Sequence, residues 1–231
     1  MNIAIIPARG GSKRIPRKNI KEFCGQPMIA YAIKAAQASG LFEHVLVSTD
    51  DAEIQTIANS LGAETPFVRP AELANDFTAT VPVVAHAIQA CETLGWQFSN
   101  VCCIYPGVPF IEVEDLKASL VQFSESGADY CFPVTEFPAA IQRALKHNSN
   151  GLMAPFYPEY ELTRTQDLEA AFYDAGQFYW GAKNAWLTNS RIHRSGIGFE
   201  IPNWRVVDID NPADWERAER LAASVFAHCT S

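Results

Sequence analysis

Positive charge is scarce in this sequence: 18 Lys and Arg stand against 26 Asp and Glu over 231 residues, a formal net charge of -8 at pH 7 with the five histidines neutral. A general nucleic-acid binder needs a broad basic surface, so the balance argues against that class. No run approaches the roughly eighteen apolar residues of a membrane-crossing helix, and the first apolar run is broken by Arg9. Neither a membrane span nor a signal peptide is therefore expected. The six cysteines (Cys24, Cys91, Cys102, Cys103, Cys131, Cys229) form no CxxC pair, and at least four sit in runs that read as core. They read as reduced thiols of a cytoplasmic protein. The histidines approach neither one another nor a cysteine at ligand spacing, which argues against a zinc site. The P-loop spacing GxxxxGK[ST] and the dinucleotide fingerprint GxGxxG are both missing.

Core material is plentiful, at 48% hydrophobic and 11% aromatic residues, enough for one large α/β domain or a domain with a sizeable insertion. The scarce cations are concentrated: Arg9, Lys13, Arg14, Arg17 and Lys18 fall in the stretch Ile3 to Asn19, IAIIPARGGSKRIPRKN. Its apolar start suits a strand buried on both faces of a parallel sheet. The chain leaves that strand through Gly10 and Gly11, whose backbone N–H groups, ringed by cations at a strand's carboxyl end, suit a polyphosphate. The plainer reading is a mobile basic loop on an acidic protein.

Downstream, a helix with Pro27 in its first turn ends near Ser39-Gly40, and His44 to Thr49 reads as a strand. Ser48 to Asp51 can cap a helix that Gly62 ends, and Glu64 to Val68 reads as a third strand. This β-α-β-α-β order predicts a doubly wound, mostly parallel Rossmann-like sheet. A polar loop from Arg69 leads to a helix over 81–94, with Thr78 or Thr80 as its cap, and such loops line the ligand crevice, making Arg69 and Thr80 candidate contacts. Asn100 to Tyr105 is a fourth strand, 113–126 a helix and Ala128 to Thr135 a fifth strand. Periodicity then fails over 138–168, which reads as an inserted lid or dimerisation arm. Phe172 to Gly181 returns to strand character, with Phe178 and Trp180 as core residues; short strands follow at Phe199 to Pro202 and Arg205 to Ile209, and Pro212 opens a final helix. Along such a last strand Asp208 and Asp210 face the same way, a hard-oxygen pair suited to Mg²⁺. Alternatively Asp210 or Asn211 caps the final helix. Cations at one end of the chain and a metal pair at the other point to attack on phosphorus, hence to a nucleotidyltransferase. A glycosyltransferase with a similar sheet usually carries its DxD in mid-chain, whereas here it lies near the end.

The run IPARGGSKRIPRKN closely resembles the nucleotide-binding motif of the cytidylyltransferases that activate nine- and eight-carbon acidic sugars, the CMP-sialic acid synthetase family. The resemblance extends through VSTDD (Val47 to Asp51), RPAEL (Arg69 to Leu73) and DIDNPADWERAE (Asp208 to Glu219), and so spans nearly the whole chain. Thr163 to Gly181 and Phe137 to Leu145 look most like the branch acting on pseudaminic acid; legionaminic and sialic acid are the alternatives. The resemblance implies transfer of CMP from CTP to the sugar's anomeric hydroxyl with release of pyrophosphate, in the cytoplasm. It implies Ala8, Arg9, Gly10, Gly11, Ser12, Lys13, Lys18, Asn19, Arg69, Asp76 and Thr80 at the nucleotide, with Arg9 and Lys18 catalytic. It implies Asp208 and Asp210 on Mg²⁺, with Mn²⁺ able to take its place, and Tyr105, Gln142, Arg143, Arg164, Gln166, Asp174 and Gln177 at the sugar. It further implies a homodimer joined through the 138–168 arm. Two departures stand out: Gly107 lacks the hydroxyl of the family's Pro-Thr-x-Pro turn, and Tyr105 stands where sialic acid synthetases commonly carry Gln.

Overall fold

The computed structural model describes residues 1–189 and 191–226; Cys229 lies outside the described residues. Seven strands make one mixed sheet: β1 (Asn2–Pro7), β2 (His44–Ser48), β3 (Asn100–Ile104), β4 (Tyr130–Glu136), β5 (Phe172–Asp174), β6 (Phe178–Ala182) and β7 (Gly196–Glu200). The order is β7-β4-β6-β3-β1-β2, with β5 beside β4. β1 pairs in parallel with β2 and β3. β6 runs antiparallel between β3 and β4, and β5 antiparallel to β4.

The alternation of β1 explains the layers. Ala4 and Ile6 enter one core with α1 (Ile29–Ser39), α2 (Ala52–Ser60) and α4 (Val113–Ser126). Ile3 and Ile5 enter another with α3 (Thr80–Thr93) and α5 (Lys183–Thr188). Burial on both faces is what an uninterrupted apolar strand requires. A short helix, α6 (Ile192–Ser195), precedes β7, and α7 (Pro212–Val225) ends the described chain. A third, smaller core joins Ile15 of the basic loop, Phe23, Met28 and Phe110 to Ile209 and to Trp215, Ala218 and Ala222 of α7. The two ends of the sequence thus meet by burying apolar side chains, beneath the charges they carry.

Several expected elements differ. Glu64 to Val68 makes only a single bridge, Glu64 to Leu46, because Pro66 has no N–H to continue a ladder. Phe172 to Gly181 is two strands rather than one, parted at Gly176, whose φ of 64° suits glycine. Pro27 lies in a two-residue ribbon with Glu22, ahead of α1. The strand expected at 205–209 is a 3-10 turn (Asn203–Arg205) followed by irregular backbone outside the sheet. The free edge of β4 is already taken by β7, and Pro202 offers no donor beyond it. Cys24 is exposed, whereas Cys91, Cys102, Cys103 and Cys131 are buried thiols. Among the described residues no helix is long and apolar enough to cross a membrane. The 138–168 stretch holds a small ribbon (Leu145–His147 with Met153–Pro155) and three 3-10 turns. Its apolar side chains are unusually exposed, Leu152 at 66% and Leu162 at 96%.

Candidate active site

At the carboxyl ends of β1 and β2 lies a cleft of about 480 Å³, lined among others by Arg9, Ser12, Lys13, Arg14, Lys18, Asn19, Arg69, Asn75, Asp76, Thr80, Tyr105 and Asp210. The basic loop that forms one wall is braced from within. The Asn19 amide donates to the Arg9 carbonyl at 3.0 Å, and the Ile29 N–H donates to the Asn19 carbonyl at 2.8 Å. Gly10 is pressed against the second strand's exit: its N–H donates to Asp50 Oδ1 at 3.0 Å, and a Cβ there would stand 2.6 Å from Asp51 Oδ2. The expected cradle of open N–H groups is therefore narrower than the sequence suggests, because Gly10 is committed to Asp50. Arg17 also departs from expectation. It grips Asp51 at 2.5 and 2.8 Å and Glu53 at 2.5 Å, with its backbone at φ 57°, so it anchors the loop to the start of α2 instead of facing the cleft. Asp51 caps α2 through the N–H groups of Glu53 and Ile54, and the Arg17 guanidinium holds its carboxyl at about 2.

The remaining cations face the cleft. Asp76 holds Arg9 at 2.5 Å and Lys13 closer still, and Lys13 and Arg9 keep its carboxyl below the ordinary range. Asp210 holds Arg14 at 2.9 Å and lies 3.8 Å from Lys18. Lys18 also donates to the Ile209 carbonyl at 2.8 Å, a bond between residues 191 positions apart. Burial pushes the Lys18 ammonium below its ordinary value, while Asp210 and Asp208 pull the other way. Arg69 is only 4% exposed and, among the described residues, pairs with no carboxylate. It donates to the Ser48 hydroxyl at 3.1 Å and to the Ser48 carbonyl. Desolvation lowers it to about 10. Asp50 attracts it from beyond ion-pair distance, but a buried cation with no paired carboxylate is an expensive arrangement for a fold to keep, and Arg69 lines the cleft.

Asp208 and Asp210 flank the buried Ile209; Asp210 lines the cleft, whereas Asp208 is exposed and is not among the cleft's lining residues. Asn211 caps α7, accepting from Ala213 and Asp214 N–H groups at 2.9 and 3.1 Å, which leaves Asp210 out of the cap. Desolvation and the neighbouring Asp210 raise Asp208 above the usual carboxylate range. Among the described residues no third His, Cys, Asp or Glu joins them. Two carboxylates of this kind fit a small hard cation that completes its shell with water and phosphate oxygens; they do not fit a closed protein cage.

A protein-family model described as cytidylyltransferase matches residues 3–187. This chain belongs to the cytidylyltransferase family. It is 41% identical over 221 residues, 95% of each chain, to the pseudaminic acid cytidylyltransferase of Campylobacter jejuni. It is 26% identical over 225 residues, again 95% of each, to the CMP-N,N'-diacetyllegionaminic acid synthase of Legionella pneumophila. A solved structure of CMP:2-keto-3-deoxy-manno-octonic acid synthetase complexed with CTP shares the fold, with a TM-score of 0.71 over 96% of this chain and 98% of that one, at 17% identity.

In this cytidylyltransferase the residues expected at the sugar separate into two groups. Tyr105 lines the cleft, with its hydroxyl 2.6 Å from that of Thr80. Thr80 itself is the first residue of α3, and neither it nor Thr78 is the cap; Ala79 holds that position without a side-chain bond. Gln177 is buried against this region: its side-chain amide N–H donates to the Arg205 carbonyl at 3.2 Å, its backbone carbonyl accepts the Tyr105 N–H at 2.9 Å, and among the described residues its side-chain Oε1 has no partner. Asp174 accepts from Gly176 N–H, Tyr179 and His193. Gln142, Arg143, Arg164 and Gln166 lie in the arm and line no part of the cleft. Arg143 donates to the Glu161 and Thr163 carbonyls and Arg164 to Asp167, so two of them tie the arm to itself, while Gln142 ties it to the residue that follows, donating to the Glu169 carbonyl. Gln166 lines a separate cavity of about 320 Å³ that Phe137 also lines. Sequence reading missed Arg14 as the partner of Asp210, and Ser48 and Asp50 as the groups that hold Arg69 and Gly10. The signal was present in VSTDD, which read as capping residues and as a stretch of the resemblance, with no role at the cleft given to Ser48 or Asp50.

Proposed function

We propose that this cytidylyltransferase joins CTP to pseudaminic acid, giving CMP-pseudaminic acid and pyrophosphate. The observation that carries the reading is the 41% identity over 95% of both chains to the Campylobacter jejuni enzyme of that name. Arg9, Lys13 and Lys18 bind the triphosphate, exchanging Asp76 and Asp210 for phosphate oxygens. Arg69 and Thr80 line the cytidine, and Asn19 holds the loop that presents the cations. The anomeric hydroxyl attacks the α-phosphorus, the bond to the bridging oxygen of pyrophosphate breaks, and Arg9 and Lys18 stabilise the charge that develops on the phosphates. Asp208 and Asp210 would hold Mg²⁺, with Mn²⁺ able to take its place, a cation that neutralises phosphate charge and lowers the hydroxyl's pKa. The exposed apolar side chains of 138–168 support a homodimer joined through that arm.

The test is pyrophosphate release with CTP, Mg²⁺ and a panel of pseudaminic, legionaminic, sialic and ketodeoxyoctulosonic acids. Release is expected with pseudaminic acid and should vanish in Asp208→Asn/Asp210→Asn. Release with another acid alone would overturn the substrate and keep the reaction; formation of a nucleoside diphosphate would overturn the reaction.

A further inference from the structure

The acidic pair near the end of the chain sits on backbone that no sheet holds. Residues 206–210 are irregular and lie outside every strand, so the place of Asp208 and Asp210 is set by what grips the segment at its two ends. Asp210 is gripped closely. Ile209 is buried in the third core, its carbonyl accepts from Lys18 at 2.8 Å, and the Asp210 N–H donates to Asp214 Oδ2 at 3.0 Å. Asp208 lies on the other side of Ile209, toward Arg205. Asp210 lines the cleft while Asp208 does not, so a cation shared by the two depends on where Asp208 is held.

Arg205 is the grip at that end. It is 5% exposed, and its guanidinium donates to Asp115 Oδ2 at 2.5 Å, with Glu112 Oε1 at 3.4 Å. Asp115 is itself 9% exposed and stands in the first turn of α4. The Arg205 carbonyl accepts from the Gln177 side chain at 3.2 Å, and the Arg205 N–H donates to the Pro202 carbonyl at 3.1 Å. Side chain and backbone are thus both fastened, to α4, to the residue ahead of β6 and to the turn. A buried ion pair is a poor source of stability, because the desolvation of two charges offsets their attraction. What this one provides is a fixed point. Asp208 is three residues on, within about 10 Å of chain.

We infer that Arg205, locked to Asp115, is a positioning residue that sets Asp208 beside Asp210, so that both carboxylates meet one divalent cation. This rests on the Mg²⁺ reading proposed above. Neither Arg205 nor Asp115 lines the cleft, so the pair acts only through the segment it anchors. Mg²⁺ demands near-ideal octahedral geometry, which makes its binding sensitive to the place of the second carboxylate.

The experiment compares wild type with Arg205→Met/Asp115→Leu, which removes both buried charges together and leaves apolar side chains in their place. CTP is titrated calorimetrically in the absence of sugar, without metal and then with saturating Mg²⁺, and a thermal melt is recorded for each protein. The variant should fold, with a Tm within about 4 °C of wild type, and should bind CTP without metal within about twofold of wild type. The factor by which Mg²⁺ tightens CTP should fall about tenfold, the lower end of what lost outer support costs a metal site. In turnover, the Mg²⁺ concentration for half-maximal rate should rise about tenfold, with kcat at saturating Mg²⁺ within about threefold of wild type. A folded variant that keeps the full Mg²⁺ tightening, or one whose metal-free CTP affinity falls as far as its affinity with Mg²⁺, overturns the inference and leaves the metal reading in place. If Mg²⁺ tightens CTP no less in Asp208→Asn/Asp210→Asn than in wild type, the metal reading falls and this inference with it. Should the double variant melt early, Arg205→Lys, which keeps the charge and loses the reach, takes its place under the same expectations.

Discussion

Lys18 touches both halves of the cleft, and its replacement separates the catalytic charge proposed for it from a structural tie. The ammonium donates to the Ile209 carbonyl at 2.8 Å and sits 3.8 Å from Asp210, with its side chain 25% exposed. Lys18→Met keeps most of the stem and removes the charge. For folding, the loss is one charge-assisted hydrogen bond, about 1.5–3 kcal/mol. Against it stands the desolvation of a largely buried ammonium, several kcal/mol at full burial and less here. The two nearly cancel, so stability should change by about 1 kcal/mol or less, a Tm shift of about 2–4 °C for a chain of this size. For catalysis nothing cancels. A cation about 4 Å from a phosphate contributes roughly 4 kcal/mol at an effective dielectric of 20 before desolvation. Losing one preorganised charge donor typically costs on the order of 100-fold in turnover. The assay is pyrophosphate release at saturating CTP and sugar, beside a thermal melt. A kcat within about threefold of wild type would show that Lys18 only fastens Ile209 to the loop. A Tm loss beyond about 10 °C would show that the cancellation argument is wrong.

Three further perturbations follow from the same geometry. Gly10→Ala places a Cβ 2.6 Å from Asp51 Oδ2 and 2.9 Å from its Cβ, so it should cost about 1–3 kcal/mol of stability; Gly11→Ala, with nothing within 4 Å, should stay within about 0.5 kcal/mol, and equal urea midpoints for the two variants would contradict the packing. Asp51 is depressed from 3.8 to about 2 in the fold, so its pairing with Arg17 stabilises above the unfolded pKa and is lost as pH falls through that window. The stability gap between wild type and Arg17→Met should therefore close from about pH 4 toward pH 2, and a gap that does not narrow in urea titrations there would count against the pairing. Arg69→Met removes a buried cation that makes no ion pair with a carboxylate among the described residues, so without nucleotide it should melt at or above wild type, while CTP should raise the wild-type Tm well above any rise it gives the variant; a variant that melts well below wild type, or that CTP stabilises as much as wild type, refutes this role.

The parallel half of the sheet was legible because its signals are local. Apolar runs at Ile3 and His44, the Gly40 terminus and the Asp51 cap each act over a few residues, and each lies where the pattern puts it. The failures are positions where the outcome depends on what else occupies an edge. Arg205 to Ile209 alternates like a strand, yet β7 already fills the edge it would join. Thr80 looks like a cap, but its hydroxyl is claimed by Tyr105, 25 residues away. The cleft followed the same division. Cation density marked the loop, and residue spacing marked Asp208 and Asp210. That Arg17 belongs to Asp51 and Glu53 and not to the cleft could not be read from spacing, since neighbouring arginines in one loop are equivalent until the fold chooses their partners.

The third core explains how an acidic chain keeps so many cations in one place. Ile15 and Ile209 are buried together, and that apolar contact draws the basic loop and the acidic segment to one spot, whatever their charges do. Asp210 then offsets Arg14 and Lys18, and Asp76 offsets Arg9 and Lys13. These carboxylates limit the mutual repulsion of the cations, and being partly exposed they can be exchanged for another anion at little desolvation. Arg69 is different: it is buried, and among the described residues its guanidinium hydrogen-bonds to Ser48 and makes no ion pair, with Asp50 attracting it from beyond ion-pair distance. Anion binding at the loop is thus a replacement of one set of ion pairs by another, modest in net energy, whereas contact with Arg69 relieves a buried charge outright. Affinity for the nucleotide should accordingly depend more on Arg69 than on any single cation of the loop, even though the loop carries most of the charge.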